Sequence, residues 1–406
     1  MPGACSQQRP ATPACAEVPE RDDEGEAHVR RAGASCDNTA LRAHAPRTRI
    51  ISSPAGRAGR KGTIMSMNFK RRLPIPKEIR EEMPLSPGQA ERKEAFDAQV
   101  ADIICGRDSR RLLIIGPCSA DYEESVLDYM NRLAPLAERV QDKLVVIPRV
   151  YTNKPRTRGT GYKGLLHNPD PEKPDDLLEG IKATRHMHLR VVEETGMFTA
   201  DEMLYPENWQ YLIDILSYVA IGARSVENQQ HRLLSSGIPV PVGMKNPTGG
   251  SEQVMLNSIY AAQQKQCFIY RNWDVESTGN PLAHAVLRGY IGLDGRNYPN
   301  YHYEVLERLT ESYTPDKYQN PAVIIDCNHD NSGKRPLEQE RIMKEVLDSC
   351  RRSSAINTMV KGFMVESYLV DGSQPVTGSV YGKSITDPCL GWEKTEQLVL
   401  TLADRI

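Results

Sequence analysis

Eight ionisable or sulfur-bearing residues stand at the ends of short apolar runs spread along this chain. In order, they are Cys118, Arg149, Glu202, Arg224, Lys245, Arg288, His329 and Glu366. Four of the eight are cations, and cations gathered in one place repel each other unless an anion neutralises them. Guanidinium groups match the geometry of phosphate and carboxylate groups. If the runs converge, this pattern predicts a site for a small ligand that carries both kinds of anion.

Metal-ligating side chains form a second part of the same set. Sulfur, nitrogen and oxygen donors come from Cys118, His329, Glu366 and, further along, Asp387. Sites of mixed donors accept several divalent ions, among them Mn²⁺, Fe²⁺, Co²⁺ and Zn²⁺. We therefore expect one divalent metal ion beside the anion site. Taken singly, a buried cysteine is usually a small core residue and an arginine is often a structural ion-pair partner, so the prediction depends on the residues occurring together.

A loop rich in cations spans residues 151 to 164. It contains a rigid proline, three glycines and the cations Lys154, Arg156, Arg158 and Lys163. Such a loop can bind a second phosphate group with side chains from outside the main pocket.

Apolar runs and amphipathic spacers alternate from residue 111 onward. The runs that we predict to be buried strands are 112–115, 144–150, 197–203, 218–223, 239–244, 283–287, 323–326 and 362–365. Two spacers carry helix-end signals, with Ser119 as the expected cap of one and Gly196 as the expected end of the other. Strands separated mostly by helix-length spacers indicate parallel βα units, and no glycine-rich dinucleotide loop follows the first strand. The pattern favours an α/β fold of the (β/α)8 TIM-barrel type, in which the strand ends converge on one mouth.

The chain divides into three parts by composition. Residues 1–64 are rich in Ala, Gly, Pro and Arg and contain almost no large apolar residue before Ile50, so we predict a disordered tail. Residues 65–110 are polar, compatible with helix and interrupted by prolines, which indicates an N-terminal extension. Residues 111–406 form the predicted catalytic barrel.

Composition excludes several classes of protein. The 406 residues carry a net charge of −2, which argues against a nucleic-acid binder, since such proteins usually have a basic face. No apolar run approaches the ~20 residues of a membrane span. The nine cysteines contain no CxxC pair, so a disulfide framework or a zinc ribbon is not expected. These features are typical of a protein of a reducing compartment, and we predict a cytoplasmic location.

The chain resembles the type I family of 3-deoxy-D-arabino-heptulosonate 7-phosphate (DAHP) synthases, found in the shikimate pathway of microbes. The resemblance covers residues 68 to 406 and depends on ordered strings, namely Ile115-Gly-Pro-Cys-Ser119, Lys154-Pro-Arg-Thr157, Ile221-Gly-Ala-Arg-Ser225, Pro241-Val-Gly-Met-Lys-Asn246, Leu287-Arg-Gly289, Asp326-Cys-Asn-His-Asp-Asn-Ser332, Met364-Val-Glu-Ser367 and Gly382-Lys-Ser-Ile-Thr-Asp387. It implies a barrel with an N-terminal extension and an added β-hairpin, which would include 267–270. It also implies condensation of phosphoenolpyruvate with erythrose 4-phosphate and release of phosphate.

The resemblance assigns roles to individual residues. It implies that the metal is held by Cys118, His329, Glu366 and Asp387. It implies that phosphoenolpyruvate is held by Arg149, Lys154, Lys245, Arg224, Arg288 and the Ala223 backbone. The sugar phosphate would bind Arg156 and Thr157, with Lys163 a further substrate-binding residue. Glu202 would lie near phosphoenolpyruvate, and proton transfer has three candidates: Lys154, Glu202 and a water on the metal. Family members are usually homodimers or homotetramers under feedback regulation, which we expect here too.

Three other functions are weighed against this interpretation. A related synthase uses arabinose 5-phosphate, but the string Lys154-Pro-Arg-Thr157 favours the four-carbon sugar. A regulator that binds phosphorylated ligands without catalysis would be expected to lack a metal donor, and all four donors are present. Nucleic-acid binding through Arg30 and Arg31 lacks interleaved aromatic residues and is offset by nearby acidic residues.

Overall fold

The structure of the chain is a computed structural model that describes residues 67–156, 159, 161–170 and 173–406. The chain divides into two compact units, Met1–Arg72 and Leu73–Ile406. In the first unit the described residues, 67–72, form no helix or strand. The predicted disordered tail, 1–64, lies outside the described residues, and so does Thr157. The boundaries of the predicted extension and barrel stay predictions.

A parallel sheet of eight strands forms the centre of the second unit. The strands, numbered in chain order, are β1 Arg111–Gly116, β2 Leu144–Pro148, β3 Thr199–Glu202, β4 Leu216–Ile221, β5 Val242–Lys245, β6 Ala283–Leu287, β7 Val323–Asp326 and β8 Val360–Glu366. Their order in the sheet is β2-β1-β8-β7-β6-β5-β4-β3. The two end strands meet where Arg149 bridges Ala200 and the Val150 N–H donates to the Ala200 carbonyl at 2.9 Å. The (β/α)8 barrel predicted from the apolar runs is thereby confirmed.

Helices surround the sheet and precede it. Their bounds are α1 Pro76–Glu82, α2 Pro87–Ile104, α3 Glu123–Arg139, α4 Leu177–Thr195, α5 Gln229–Ser235, α6 Glu252–Gln263, α7 Tyr303–Ser312, α8 His329–Ser332, α9 Glu338–Arg352, α10 Ser354–Met359 and α11 Trp392–Arg405. The connection from β3 to β4 contains only the 3-10 turn Trp209–Tyr211. None of the helices in the described part of the chain is both long and apolar enough to cross a membrane.

Local signals explain where two of these helices begin or end. In α2 the Ser86 side chain accepts from the Gln89 N–H while the Gln89 side chain accepts from the Ser86 N–H, which together form a capping box. As predicted, α4 ends at Gly196, whose φ of +72° suits glycine. The prediction for Ser119 is wrong, because α3 begins at Glu123 and the Ser119 hydroxyl lies 3.0 Å from that of Thr386.

Helix α2 closes one end of the barrel. Its residues Val100, Ile103 and Ile104 belong to one buried apolar cluster with Leu112 and Ala322, which lie at the beginnings of β1 and β7. Since burial of such side chains is the main favourable term in folding, this packing seals the amino-terminal end. The opposite end, where the polar residues follow the strands, is left as the mouth.

Three small sheets lie outside the barrel. They are the antiparallel hairpin Cys267–Tyr270 with Trp273–Glu276, the antiparallel pair Tyr290–Ile291 with Asn297–Tyr298, and the parallel pair Val370–Ser373 with Lys383–Ser384. The first is the expected hairpin, and its turn residues Arg271 and Asn272 have positive φ. The third follows β8 and brings the chain back to the barrel mouth.

Candidate active site

The carboxyl ends of the barrel strands surround a cavity that is open to solvent. The predicted site residues that line it are Cys118, Arg149, Lys154, Arg156, Glu202, Ala223, Arg224, Lys245, Arg288, His329 and Asp387. Glu366 is fully buried at the end of β8 and contacts Arg149 at the cavity wall. The structure thus brings together residues that are up to 269 positions apart in sequence.

Three of the four predicted metal ligands converge. One donor atom from each of Cys118, Glu366 and Asp387 lies within 4.8 Å of the other two. Cys118 follows β1 and Glu366 ends β8, and these two strands are adjacent. Asp387 reaches them because the chain beyond β8 returns, with Leu390 bridging Ser367. The set of sulfur and carboxylate oxygens fits a divalent transition ion.

His329, the fourth predicted ligand, lies beside this group but is not part of it. It begins α8 with a φ of +47°. Its Nδ1 atom is 2.8 Å from Asp326 Oδ2 and its Nε2 atom is 3.7 Å from Glu366 Oε1. A histidine that ligates a metal usually has a carboxylate beside one ring nitrogen, while its other ring nitrogen points toward the metal. The environment of His329 has this arrangement.

Burial and neighbouring charges together lower the pKa values of both carboxylates and raise that of the thiol. Burial works to raise the pKa of Glu366, but the charges of Arg149, His329 and Lys154 lower it below its ordinary value. The pKa of Asp387 is lowered in the same way against its burial, chiefly by Lys154 and Lys334. Burial and the charge of Glu366 raise the pKa of the Cys118 thiol. A metal ion bound here would displace the thiol proton, because thiolate is the ligating form.

Arg149 is the buried cation of the site. It is 1% exposed, and its Nη2 atom donates to Glu366 Oε1 at 2.6 Å. Its Nε and Nη2 atoms also donate to the carbonyls of Pro117 and Cys118, at 3.2 and 3.3 Å. The Nη1 atom is buried with no hydrogen-bond partner among the described residues. Because a buried guanidinium nitrogen is costly to leave unpaired, Nη1 is a donor available for an anionic ligand.

Further cations line the cavity, and most have a carboxylate partner. The Lys245 amine lies 3.0 Å from Asp326 Oδ2, and Arg288 pairs with Asp330. Arg224 is exposed. With Arg149, these cations give the cavity the charge that a phosphate and a carboxylate require.

The cationic loop carries two of the predicted residues into the cavity. The Lys154 N–H donates to the Lys163 carbonyl at 3.0 Å, and Arg156 Nε donates to the Tyr162 carbonyl at 2.6 Å. The Lys154 amine lies 2.6 Å from the Cys118 sulfur. Burial alone would lower the pKa of Lys154, but the nearby acidic groups, Cys118 first, raise it above its ordinary value.

Lys163 is not brought to the cavity. Its amine pairs with Asp175 at 3.1 Å on the surface, and the residue is absent from the cavity lining. Its backbone serves the site instead, since its carbonyl holds Lys154. The sequence could not show this, because side chains at successive positions of an extended segment point to opposite sides.

Some polar residues that contact predicted site residues are not identified as site residues from the sequence. Among them are Asp326, Asn328, Asp330 and Lys334. The amine of Lys334 lies 2.9 Å from Asp387 Oδ1, and the Asn328 amide donates to Glu366. The sequence does carry a signal for these four, because Asp326, Asn328 and Asp330 belong to the string that contains His329, and Lys334 follows it closely.

Comparison with known proteins agrees with this geometry. Residues 82–400 match the sequence profile described as the DAHP synthetase I family. The chain belongs to this family. The expected class of enzyme, a DAHP synthase, is confirmed, and with it the predicted resemblance.

Relatives of this DAHP synthase align over most of their length. It is 36% identical over 346 residues to the phospho-2-dehydro-3-deoxyheptonate aldolase of Corynebacterium glutamicum, and the alignment covers 82% of this chain and 91% of the relative. It is 35% identical over 343 residues to the Trp-sensitive enzyme of that name from Escherichia coli K12, covering 82% and 95%. The solved structure of the Francisella tularensis enzyme superposes with a TM-score of 0.76 at 29% identity, covering 84% of this chain and 98% of that one.

Proposed function

We propose that this DAHP synthase condenses phosphoenolpyruvate with erythrose 4-phosphate and water, giving DAHP and inorganic phosphate, and that it needs one divalent metal ion. The observation that carries the proposal is the juxtaposition of the unpaired Arg149 Nη1 atom with three converging donors for a metal. An anion site beside a metal site is what this reaction requires, since one reactant carries a carboxylate and both carry phosphate.

The cations bind and orient the first reactant. Arg149, Lys245, Arg288 and Arg224 line the cavity, and we assign them to the phosphate and carboxylate of phosphoenolpyruvate. The Ala223 backbone lies in the same wall. Guanidinium and ammonium groups stabilise the charge that builds up as the C–O bond to phosphate breaks.

The loop binds the second reactant. We assign Arg156, together with Thr157, to the phosphate of erythrose 4-phosphate. Holding both phosphates places the enol carbon of one reactant beside the aldehyde carbon of the other. This proximity and orientation lower the activation free energy of the reaction. Lys154 and Glu202 also line the cavity and are the protein's candidates for moving a proton.

The metal donors complete the assignment. Cys118, Glu366 and Asp387 would hold the ion, with His329 Nε2 as the nearby nitrogen donor. When bound, such an ion supplies Lewis-acid polarisation of an oxygen atom. A cytoplasmic location and a homodimeric or homotetrameric state stay predictions.

Phosphate release from purified protein tests the proposal. We expect release with phosphoenolpyruvate and erythrose 4-phosphate, its loss after EDTA, its return with Mn²⁺ and no release with arabinose 5-phosphate. Cys118→Ala should abolish both metal binding and release, whereas Cys267→Ala, at an exposed hairpin cysteine, should change neither. Metal binding without release under any condition would contradict the proposal and favour a regulator that binds phosphorylated ligands.

A further inference from the structure

A buried carboxylate joins the cationic loop to strand β3. Asp201 is 3% exposed, and its two oxygens lie close to four donors. Oδ1 accepts from the Thr152 N–H at 3.0 Å and from the Glu202 N–H at 2.7 Å. Oδ2 accepts from the Thr152 hydroxyl at 2.5 Å and lies 3.3 Å from His188 Nε2. One side chain therefore connects the beginning of the loop to the backbone of a cavity residue.

His188 orients this carboxylate. The imidazole is fully buried in α4, and its Nδ1 atom lies 2.7 Å from the Thr199 hydroxyl. The hydroxyl of Thr199, the imidazole of His188 and the carboxylate of Asp201 form a series like the one in which a histidine, oriented by a carboxylate, activates a hydroxyl as a nucleophile. Both the threonine and the histidine are 0% exposed, so no substrate can reach the hydroxyl. The series can therefore act only by holding other groups in place.

Both ends of the loop meet at Thr152, the residue that Asp201 holds. The Thr152 carbonyl accepts from the Leu165 N–H at 2.7 Å, and Asn153 bridges Gly164. Gly164 has a φ of +100°, and a Cβ atom on it would lie 2.4 Å from the Thr152 carbonyl oxygen. The two ends are thus packed too closely to shift separately. Fixing Thr152 therefore fixes both ends of the loop against β3.

We propose that Asp201, oriented by His188, is a positioning residue that sets the place of Lys154 and Arg156 in the cavity. Lys154 lies two residues after Thr152, and its amine is within 2.6 Å of the Cys118 sulfur. Small displacements of such groups weaken substrate binding and catalysis steeply, because both depend on near-contact geometry. The kinetic part of the inference rests on the proposed function, while its structural part does not.

The test removes one hydroxyl and keeps the shape. Thr152→Val replaces the hydroxyl, which donates to Asp201 and accepts from the Asn153 amide at 3.3 Å, by a methyl group of similar size, and Thr152→Ser restores it. Thr195→Val is the matched control, because it removes a hydroxyl at the end of α4 that bonds to the Val191 carbonyl. A hydrogen bond to a charged group is strong enough that we expect Thr152→Val to raise KM for erythrose 4-phosphate about tenfold or more.

Two further measurements separate positioning from general destabilisation. Thr152→Val should speed hydrogen exchange of the Lys154 amide and weaken binding of inorganic phosphate, each about tenfold. Mn²⁺ should still bind, because none of the three converging donors lies on the loop. Thr152→Ser and Thr195→Val should match the wild type in all of these. A lower kcat with unchanged KM, unchanged exchange and unchanged phosphate binding would overturn the proposal.

Asp201→Asn gives a second variant should Thr152→Val fail to fold. An asparagine has one acceptor oxygen and so cannot accept from all four donors, and we expect the same changes in exchange and phosphate affinity. Wild-type values for Asp201→Asn in both measurements would refute the proposal. If the wild type itself releases no phosphate from the two substrates, the proposed function fails, and the exchange and binding measurements still decide the role of Asp201.

Discussion

Replacing Arg149 by lysine tests how the buried cation of the cavity works. Lysine keeps the positive charge and can still reach one carboxylate, but it has no planar fork. The change removes the unpaired Nη1 donor and the bonds to the carbonyls of Pro117 and Cys118. It also removes the stacking of the guanidinium on Tyr151, whose ring centroid is 3.9 Å away. Net charge in the site stays the same, so any effect reports geometry.

The size of the effect follows from the bonds lost. One hydrogen bond between a guanidinium and an anionic ligand contributes about 1.5–3 kcal/mol, which predicts a Kd for phosphoenolpyruvate about 10–150 times higher. Because the substitution leaves the carbonyls of Pro117 and Cys118 without this donor, the free energy of unfolding should fall by about 2 kcal/mol. Calorimetric titration with phosphoenolpyruvate and urea unfolding measure the two quantities separately.

Arg185→Lys is the control for this prediction. Arg185 is also fully buried, and it donates to the carbonyls of Met83 and Tyr211 and to Asp214. It does not line the cavity. We expect a similar loss of unfolding free energy with an unchanged Kd. The reasoning about Arg149 would be refuted if Arg149→Lys left Kd within about threefold of the wild type while remaining folded.

Two other predictions concern a surface lysine and a buried histidine. Lys163→Gln should change KM for either substrate by less than about twofold, because its amine pairs with Asp175 at the surface; a KM as high as that of Arg156→Gln would instead place Lys163 at the substrate. His284 is fully buried, and burial lowers its pKa to about 4, so the folded protein holds it neutral. As pH falls from about 6.5, the unfolded chain binds a proton that the folded chain does not, and the free energy of unfolding should fall by about 3 kcal/mol by pH 4. Urea unfolding across this range should show that the free energy of unfolding falls more steeply with decreasing pH in the wild type than in His284→Gln. The same dependence on pH in both proteins would contradict the prediction.

Most of the barrel and most of the site could be predicted before the structure. Buried strands show as short apolar runs because both of their faces are covered, and all eight runs overlap strands. The residues at the end of each run are informative because the carboxyl ends of parallel strands lie on one side of a barrel. Cys118, Arg149 and Lys245 were found in this way, since their positions depend only on local order along the chain.

Other features depend on contacts between distant segments, and local patterns carry no signal for them. Helix α2 seals the barrel through packing of Val100 and Ile103, which its sequence periodicity does not reveal. Asp201 stands one position before a cavity residue and points the other way, so only its contacts with Thr152 and His188 show its role.

The sequence by itself determined the succession of strands, the chemical groups at their ends and the family that combines them. Tertiary structure alone decided which of those groups meet. It brings Asp387 to Cys118 through a returning segment beyond β8, turns Lys163 to the surface and leaves Arg149 Nη1 unpaired. The reason is physical: local periodicity sets which face of an element is buried, whereas the distances between side chains are set by the packing of the elements against one another.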